Sequence, residues 1–233
     1  MKTKIVTSNT QGLLLEKIDV CIFDIDYTLV NGPEAKAYYA LYSKLIEKIL
    51  AQKLQLPLSQ AKRLVDDFRL TNNGRGELIL EKYNLQWTWY DGILSLDPTR
   101  YLKKIPSTVR TLSALKTRGV KLVAVTDAPL GQVEKLFGAI GVNSALFEFV
   151  IGWEKGQEKP KNGRPEIFSR ICKLLNSDPQ KTIMVGDSLS VDVIPAIKAK
   201  LIGVLISQKE FNIDQPYYCI PTLEKLLTVK LTK

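Results

Sequence analysis

The chain has 233 residues, 45% hydrophobic and 24% charged, enough to bury a full core as one domain with an insertion or as two small domains. It contains no histidine, which excludes Ser-His-Asp triads, HExxH zinc sites and phosphohistidine chemistry. Catalysis would then fall to carboxylates, hydroxyls, lysines, backbone amides and a hard metal ion. The net charge of +9 reads as a solvated surface, because Lys44, Lys48, Lys53 and Lys62 are interleaved with acids and no nucleic-acid motif accompanies them.

In chain order, Met1–Lys17 offers only Leu13-Leu14-Leu15 as an apolar block, too short for a signal peptide. No apolar run approaches the roughly 18 residues that span a bilayer. Cys21, Cys172 and Cys219 are odd in number and lie among apolar neighbours, as reduced thiols do, so a cytoplasmic protein without membrane contact is expected. Val20–Ile25 predicts the first buried strand. From Asn31-Gly32-Pro33 to about Ile105-Pro106 the pattern turns helical, over Glu34–Leu54, Leu58–Leu70 and Glu77–Tyr83, with no buried strand. That stretch is too long for a connection and predicts an inserted helical unit. Within it, Asn72–Glu77 forms a loop able to project Arg75 toward a second anionic group. Trp87, Trp89 and Tyr90 either stack on a base or sugar or pack the unit itself, the commoner outcome at this spacing.

Downstream, apolar runs at Val120–Thr126, Thr182–Val185 and Leu201–Ile206, with shorter ones at Phe147–Ile151 and Tyr217–Ile220, alternate with helical patterns. The helices lie near Ser107–Thr117, Gly131–Ile140, Pro165–Leu175 and Val191–Lys200. Unbroken Val/Ile/Leu runs indicate parallel strands covered on both faces. The expected architecture is α/β: a doubly wound, Rossmann-like parallel sheet from residues 1–31 and 106–233, with residues 32–105 as the helical insertion.

Ligands of doubly wound sheets bind outside the carboxyl ends of the strands, and the notable polar residues fall there. Asp24 and Asp26 end the first strand, and alternation sends both to one side. Two such like charges need a cation to offset them, and a hard oxygen site suits magnesium. Thr126 and Asp127 end a second strand. Gly186-Asp187 and Asp192 follow a third, and Glu158-Lys159-Pro160-Lys161 leads a helix. Each acid alone is as often a helix cap; the whole set is not explained by capping.

These ordered motifs, Asp24-x-Asp26-x-Thr28, Thr126, Lys159-Pro160 and Gly186-Asp187 with Asp192, resemble those of the haloacid dehalogenase-like superfamily, in particular its phosphatases. The resemblance spans Val20 to Asp192. The helical insertion is similar to the family's C1-type cap, and Tyr90–Leu94 with Pro98–Leu102 is similar to its phosphoglycolate phosphatase and pyrimidine 5′-nucleotidase-like members.

The resemblance implies a magnesium-dependent phosphomonoesterase acting on a small soluble metabolite: a nucleotide, a sugar phosphate or phosphoglycolate. It implies Asp24 as nucleophile, forming an aspartyl phosphate, and Asp26 as general acid and base. Magnesium would be held by Asp24, the backbone carbonyl of Asp26 and Asp187, with Asp192 supporting it through water, orienting the lysine, or capping the following helix. Thr126, Asp127 and nearby amides would bind phosphate oxygens, and Lys159 would balance the charge of the transferring group. In the family, Lys-Pro is followed after one residue by Pro-x-Ile-Phe. Here Lys161-Asn162-Gly163-Arg164 intervenes before Pro165-Glu166-Ile167-Phe168, which leaves Lys161 as a rival for the lysine role. Dehalogenating members lack an acid two residues after the nucleophile, so Asp26 argues against that reaction. A phosphomutase on the same core and a non-catalytic binding module are the alternatives. The expected assembly is a monomer or homodimer.

Overall fold

The runs of Val, Ile and Leu become six parallel strands in the computed structural model, which describes residues 18–72 and 74–228. The Met1–Lys17 stretch lies outside the described residues, as does Asn73 of the expected loop. The strands are β1 (Val20–Phe23), β2 (Lys121–Pro129), β3 (Phe149–Trp153), β4 (Thr182–Gly186), β5 (Ile202–Ile206) and β6 (Tyr218–Ile220). The helices are α1 (Pro33–Leu54), α2 (Leu58–Thr71), α3 (Gln86–Leu94), α4 (Pro106–Thr117), α5 (Leu130–Ile140), α6 (Glu166–Leu175) and α7 (Ile194–Lys198).

The strand order is β3-β2-β1-β4-β5-β6, with every neighbouring pair parallel. Every residue of β1 is fully covered, which is why its apolar run is unbroken rather than alternating. On one face Val20, Ile22, Val123, Val125 and Met184 pack against Phe168, Ile171, Cys172 and Ala196. Each such large side chain contributes about 1.5–3 kcal/mol on burial. The register sets Phe23 opposite both Ala124 and Val185. Asp24, Thr126 and Asp187 therefore follow within a residue or two of aligned positions, along one rim of the sheet.

The chain divides into two compact units, one formed by the residues to Asn31 together with Lys103 onward, the other by Gly32–Leu102. The second unit contains α1, α2, a 3-10 turn at Gly76–Tyr83 and α3. Trp89 and Tyr90 are buried in it, and Trp89 meets Tyr42 edge-on with ring centroids 6.1 Å apart. These aromatics pack the helical unit, the second of the outcomes weighed for them. Among the described residues, no helix is long and apolar enough to cross a membrane.

The expected helix from Val191 begins later. Residues Leu189–Val193 instead form a wide turn in which the Val193 amide donates to the Ser188 carbonyl at 3.2 Å, and α7 follows with Pro195 in its first turn. Wide turns of this i→i+5 kind recur at functional sites.

Candidate active site

The β1 strand ends by handing Asp24 to a tight turn. The amides of Thr28, Leu29 and Val30 all donate to the Ile25 carbonyl, at 3.3, 3.0 and 2.9 Å. Tyr27 takes φ +60° to allow it, a left-handed conformation that is unusual for a bulky residue. The curl brings the fully buried Thr28 back, so that its hydroxyl donates to Asp24 Oδ2 at 3.3 Å. No pattern in the sequence alone gives Thr28 this contact; it comes from the turn.

Asp24 Oδ1 accepts a hydrogen bond from Nζ of Lys161, and that same ammonium lies 2.6 Å from Asp192 Oδ1. Lys161, not Lys159, therefore reaches the carboxylates. The intervening residues explain it. The Arg164 amide donates to the Lys161 carbonyl at 2.8 Å, and the two residues between have positive φ, +42° at Asn162 and +70° at Gly163. Asn-Gly in a tight turn of this hand is a strong pattern. The turn moves the lysine to its own first position. Lys159 places its ammonium 5.2 Å from the centre of the Trp153 ring. It lines a cleft of about 640 Å³ beside β3 whose walls include Glu158, Arg164 and Arg170 but none of the clustered carboxylates.

Asp192 is fully buried. Besides Lys161, it accepts from the Ser188 amide at 3.1 Å through Oδ2, which closes the wide turn. The geometry provides its contact with the lysine and sets it near Asp24 and Asp187, where a cation could sit; it lies inside the wide turn rather than at the start of α7. Gly186 makes room for it: a Cβ there would sit 2.3 Å from Asp192 Oδ2.

Asp24, Asp187 and Asp192 bring one carboxylate oxygen each to within 4.8 Å of one another. Burial, the Asp26 charge and the opposing Lys161 act on Asp24, with a net upward shift. Desolvation and the charges of Asp24 and Asp192 push Asp187 up to about 8. Asp187 is nonetheless the solvent-facing member, and water there softens that push. Burial raises Asp192 to about 7 against the pull of Lys161. Burial disfavours the Lys161 ammonium, but Asp192, Asp24 and Asp127 outweigh it and its pKa is raised. Crowded hard oxygen donors with pKa values pushed upward fit a divalent cation such as magnesium, which favours their ionised forms.

The Thr126 hydroxyl accepts from the Ala128 amide at 3.0 Å and donates to Asp26 Oδ2 at 3.1 Å. The Asp26 carboxylate thus stands with Thr126, outside the Asp24–Asp187–Asp192 group. The Asp127 side chain, expected at phosphate, instead accepts from the amides of Lys161 at 2.8 Å and Asn162 at 3.1 Å. Arg75, expected to project toward an anion, has a largely buried side chain and pairs with Glu77 at 3.1 Å.

An open parallel sheet with a carboxylate cluster, a buried lysine and a hydroxyl–carboxylate pair at its strand ends is the arrangement of a hydrolytic or group-transfer enzyme of the doubly wound class. Residues 18–200 match the haloacid dehalogenase-like hydrolase family. A glyceraldehyde 3-phosphate phosphatase of Pyrococcus furiosus is 26% identical over 231 residues, 92% of this chain and 94% of that protein. One from Methanopyrus kandleri is 35% identical over 117 residues, which is 50% of this chain and 48% of that one, about half the length of each. The crystal structure of a HAD phosphatase from Thermococcus onnurineus superposes with a TM-score of 0.62 at 25% identity, covering 90% of this chain and 96% of that one. The chain belongs to the haloacid dehalogenase-like hydrolase family, among its phosphatases.

Proposed function

We propose that the protein is a magnesium-dependent phosphomonoesterase working through an aspartyl phosphate on Asp24, with a small two- or three-carbon phosphate of the phosphoglycolate or glyceraldehyde 3-phosphate kind as substrate. The observation that carries the reading is the contact of one buried lysine, Lys161, with both Asp24 and Asp192 beside the Thr126–Asp26 pair. The substrate class is supported by the relatives' activities.

In this reading Thr28 and Lys161 hold Asp24 from its two oxygens, so the carboxylate attacks phosphorus from a fixed orientation. The new bond joins Asp24 oxygen to phosphorus as the bond to the leaving alkoxide breaks. Asp26 gives that alkoxide its proton, then takes one from the water that attacks the phosphoaspartate and returns Asp24. Thr126 orients Asp26 beforehand and turns its hydroxyl to a phosphoryl oxygen when substrate is present. Lys161 balances the charge spread over the transferring group and is kept protonated by Asp192. Asp24, Asp187 and the Asp26 backbone carbonyl would hold magnesium, with Asp192 behind them. Bound there, it offsets the repulsion between an anionic nucleophile and an anionic substrate. The helical unit Gly32–Leu102 would serve as the cap that sets substrate choice.

The test is hydrolysis of p-nitrophenyl phosphate, glyceraldehyde 3-phosphate and phosphoglycolate by the wild type and Asp24→Asn, each with magnesium and with EDTA. Magnesium-dependent turnover that Asp24→Asn abolishes is expected. Turnover that survives the substitution would show that Asp24 is not the nucleophile.

A further inference from the structure

Thr126 and Asp127 are consecutive, yet their side chains serve different partners. The pairing of β2 with β3 slips between Val125 and Pro129, and an irregularity of this kind bends a strand and re-aims its side chains. Thr126 turns to Asp26. Asp127 reaches the loop after β3, where Oδ1 accepts from the Lys161 amide at 2.8 Å and Oδ2 from the Asn162 amide at 3.1 Å. Those are the first two amides of the turn that Lys161 opens and the Arg164 amide closes. One carboxylate thus grips the backbone from which the ammonium on Asp24 and Asp192 is hung.

We propose that Asp127 is a positioning residue for phosphoryl transfer, acting through Lys161 by clamping the Lys161 and Asn162 amides. The inference rests on the phosphatase reading of the site. A carboxylate is a poor ligand for a phosphate but a strong acceptor for two amides. Lysine is a point charge on a flexible stem, so its placement depends on where its backbone starts. A shift of about 1 Å in such a group can cost about 100-fold in rate.

The experiment compares Asp127→Ala, Asp127→Asn, Lys161→Met and the Asp127→Ala/Lys161→Met double variant on p-nitrophenyl phosphate with magnesium. Asp127→Ala is expected to lower kcat about 10- to 100-fold with KM within about twofold, since placement of the ammonium matters in the transition state. Asp127→Asn keeps an oxygen acceptor and should recover most of the loss. In the Lys161→Met background, Asp127→Ala should cost no more than about twofold, because both changes remove the same function. A fully additive double variant, an Asn variant as poor as Ala, or a rise in KM at unchanged kcat would overturn the proposal. Should Asp127→Ala not fold, Asp127→Ser, too short to span both amides, takes its place with the same expectations. If the wild type itself shows no turnover, the phosphatase reading fails first, and hydrogen exchange still tests the clamp. The Lys161 and Asn162 amides should exchange faster without the carboxylate; unchanged exchange would overturn it.

Discussion

Replacing Lys161 with methionine, beside a matched Lys159→Met variant, separates the two lysines of the loop between β3 and α6. The Lys161 side chain is 4% exposed and touches Asp24 and Asp192, the latter fully buried. Methionine keeps the stem and removes the charge, so two buried carboxylates lose the cation between them. Removing one partner of a buried pair costs about 3–5 kcal/mol. Asp192, already raised to about 7, recovers part of this by taking up a proton in mild acid. The stability loss is therefore expected near 3 kcal/mol at about pH 8 and to be smaller at about pH 6. Losing one preorganised charge from the reacting group costs about 100- to 1000-fold in kcat, or about 2.7–4 kcal/mol. Lys159 stands over Trp153, a contact worth about 0.5–1 kcal/mol, and its loss should leave kcat within about threefold. Steady-state kinetics with magnesium and thermal melts at both pH values read all four quantities. A larger kcat loss in Lys159→Met than in Lys161→Met would refute the assignment and the turn argument beneath it.

Two further perturbations probe the carboxylate cluster. Gly186→Ala would place a Cβ 2.4 Å from Asp192 Cγ, so we expect about 1–3 kcal/mol of overpacking and a large fall in kcat; a variant with wild-type melting and turnover would show that Asp192 moves freely. For pH, the Asp187 and Asp192 carboxyls are raised from 3.8 to about 8 and about 7. The folded state holds these protons more tightly than the unfolded chain, so their stability contribution is full below 3.8 and lost as pH rises through 7 to 8. In EDTA, melting temperature should fall between about pH 5 and pH 8.5, less steeply in Asp187→Asn, and magnesium should oppose the fall by binding the ionised set. Equal slopes in wild type and variant, unmoved by magnesium, would remove Asp187 from the cluster.

Much of the candidate site's placement at the strand ends was legible in the chain because its signals are local. The Asp24-x-Asp26 alternation needs only a strand, and the apolar run before it supplies one. Gly186-Asp187 follows a run whose burial makes it β4, and the parallel register then aligns both ends. Other features depended on the folded arrangement. The aromatic Gln86–Leu94 stretch contains Gly92 and lacks a clear apolar period, so its helix followed from packing against Tyr42. Arg75 looked available in a polar loop, but Glu77 lies close enough in the folded loop to pair with it.

By itself, then, the sequence determined an α/β chain with a histidine-free set of carboxylates at its strand ends, because apolar periodicity and adjacent motif residues act over a few residues of chain. The tertiary structure decided which lysine reaches the carboxylates. Lys159 and Lys161 are both followed by turn-forming residues, and their reach depends on a turn closed between Lys161 and Arg164 and gripped by Asp127. It also decided where Asp127 and Asp192 point, since a strand irregularity at the end of β2 and a widened turn after β4 aim them. The irregularity and the Asp127 contacts join segments far apart in the chain, which no local pattern encodes.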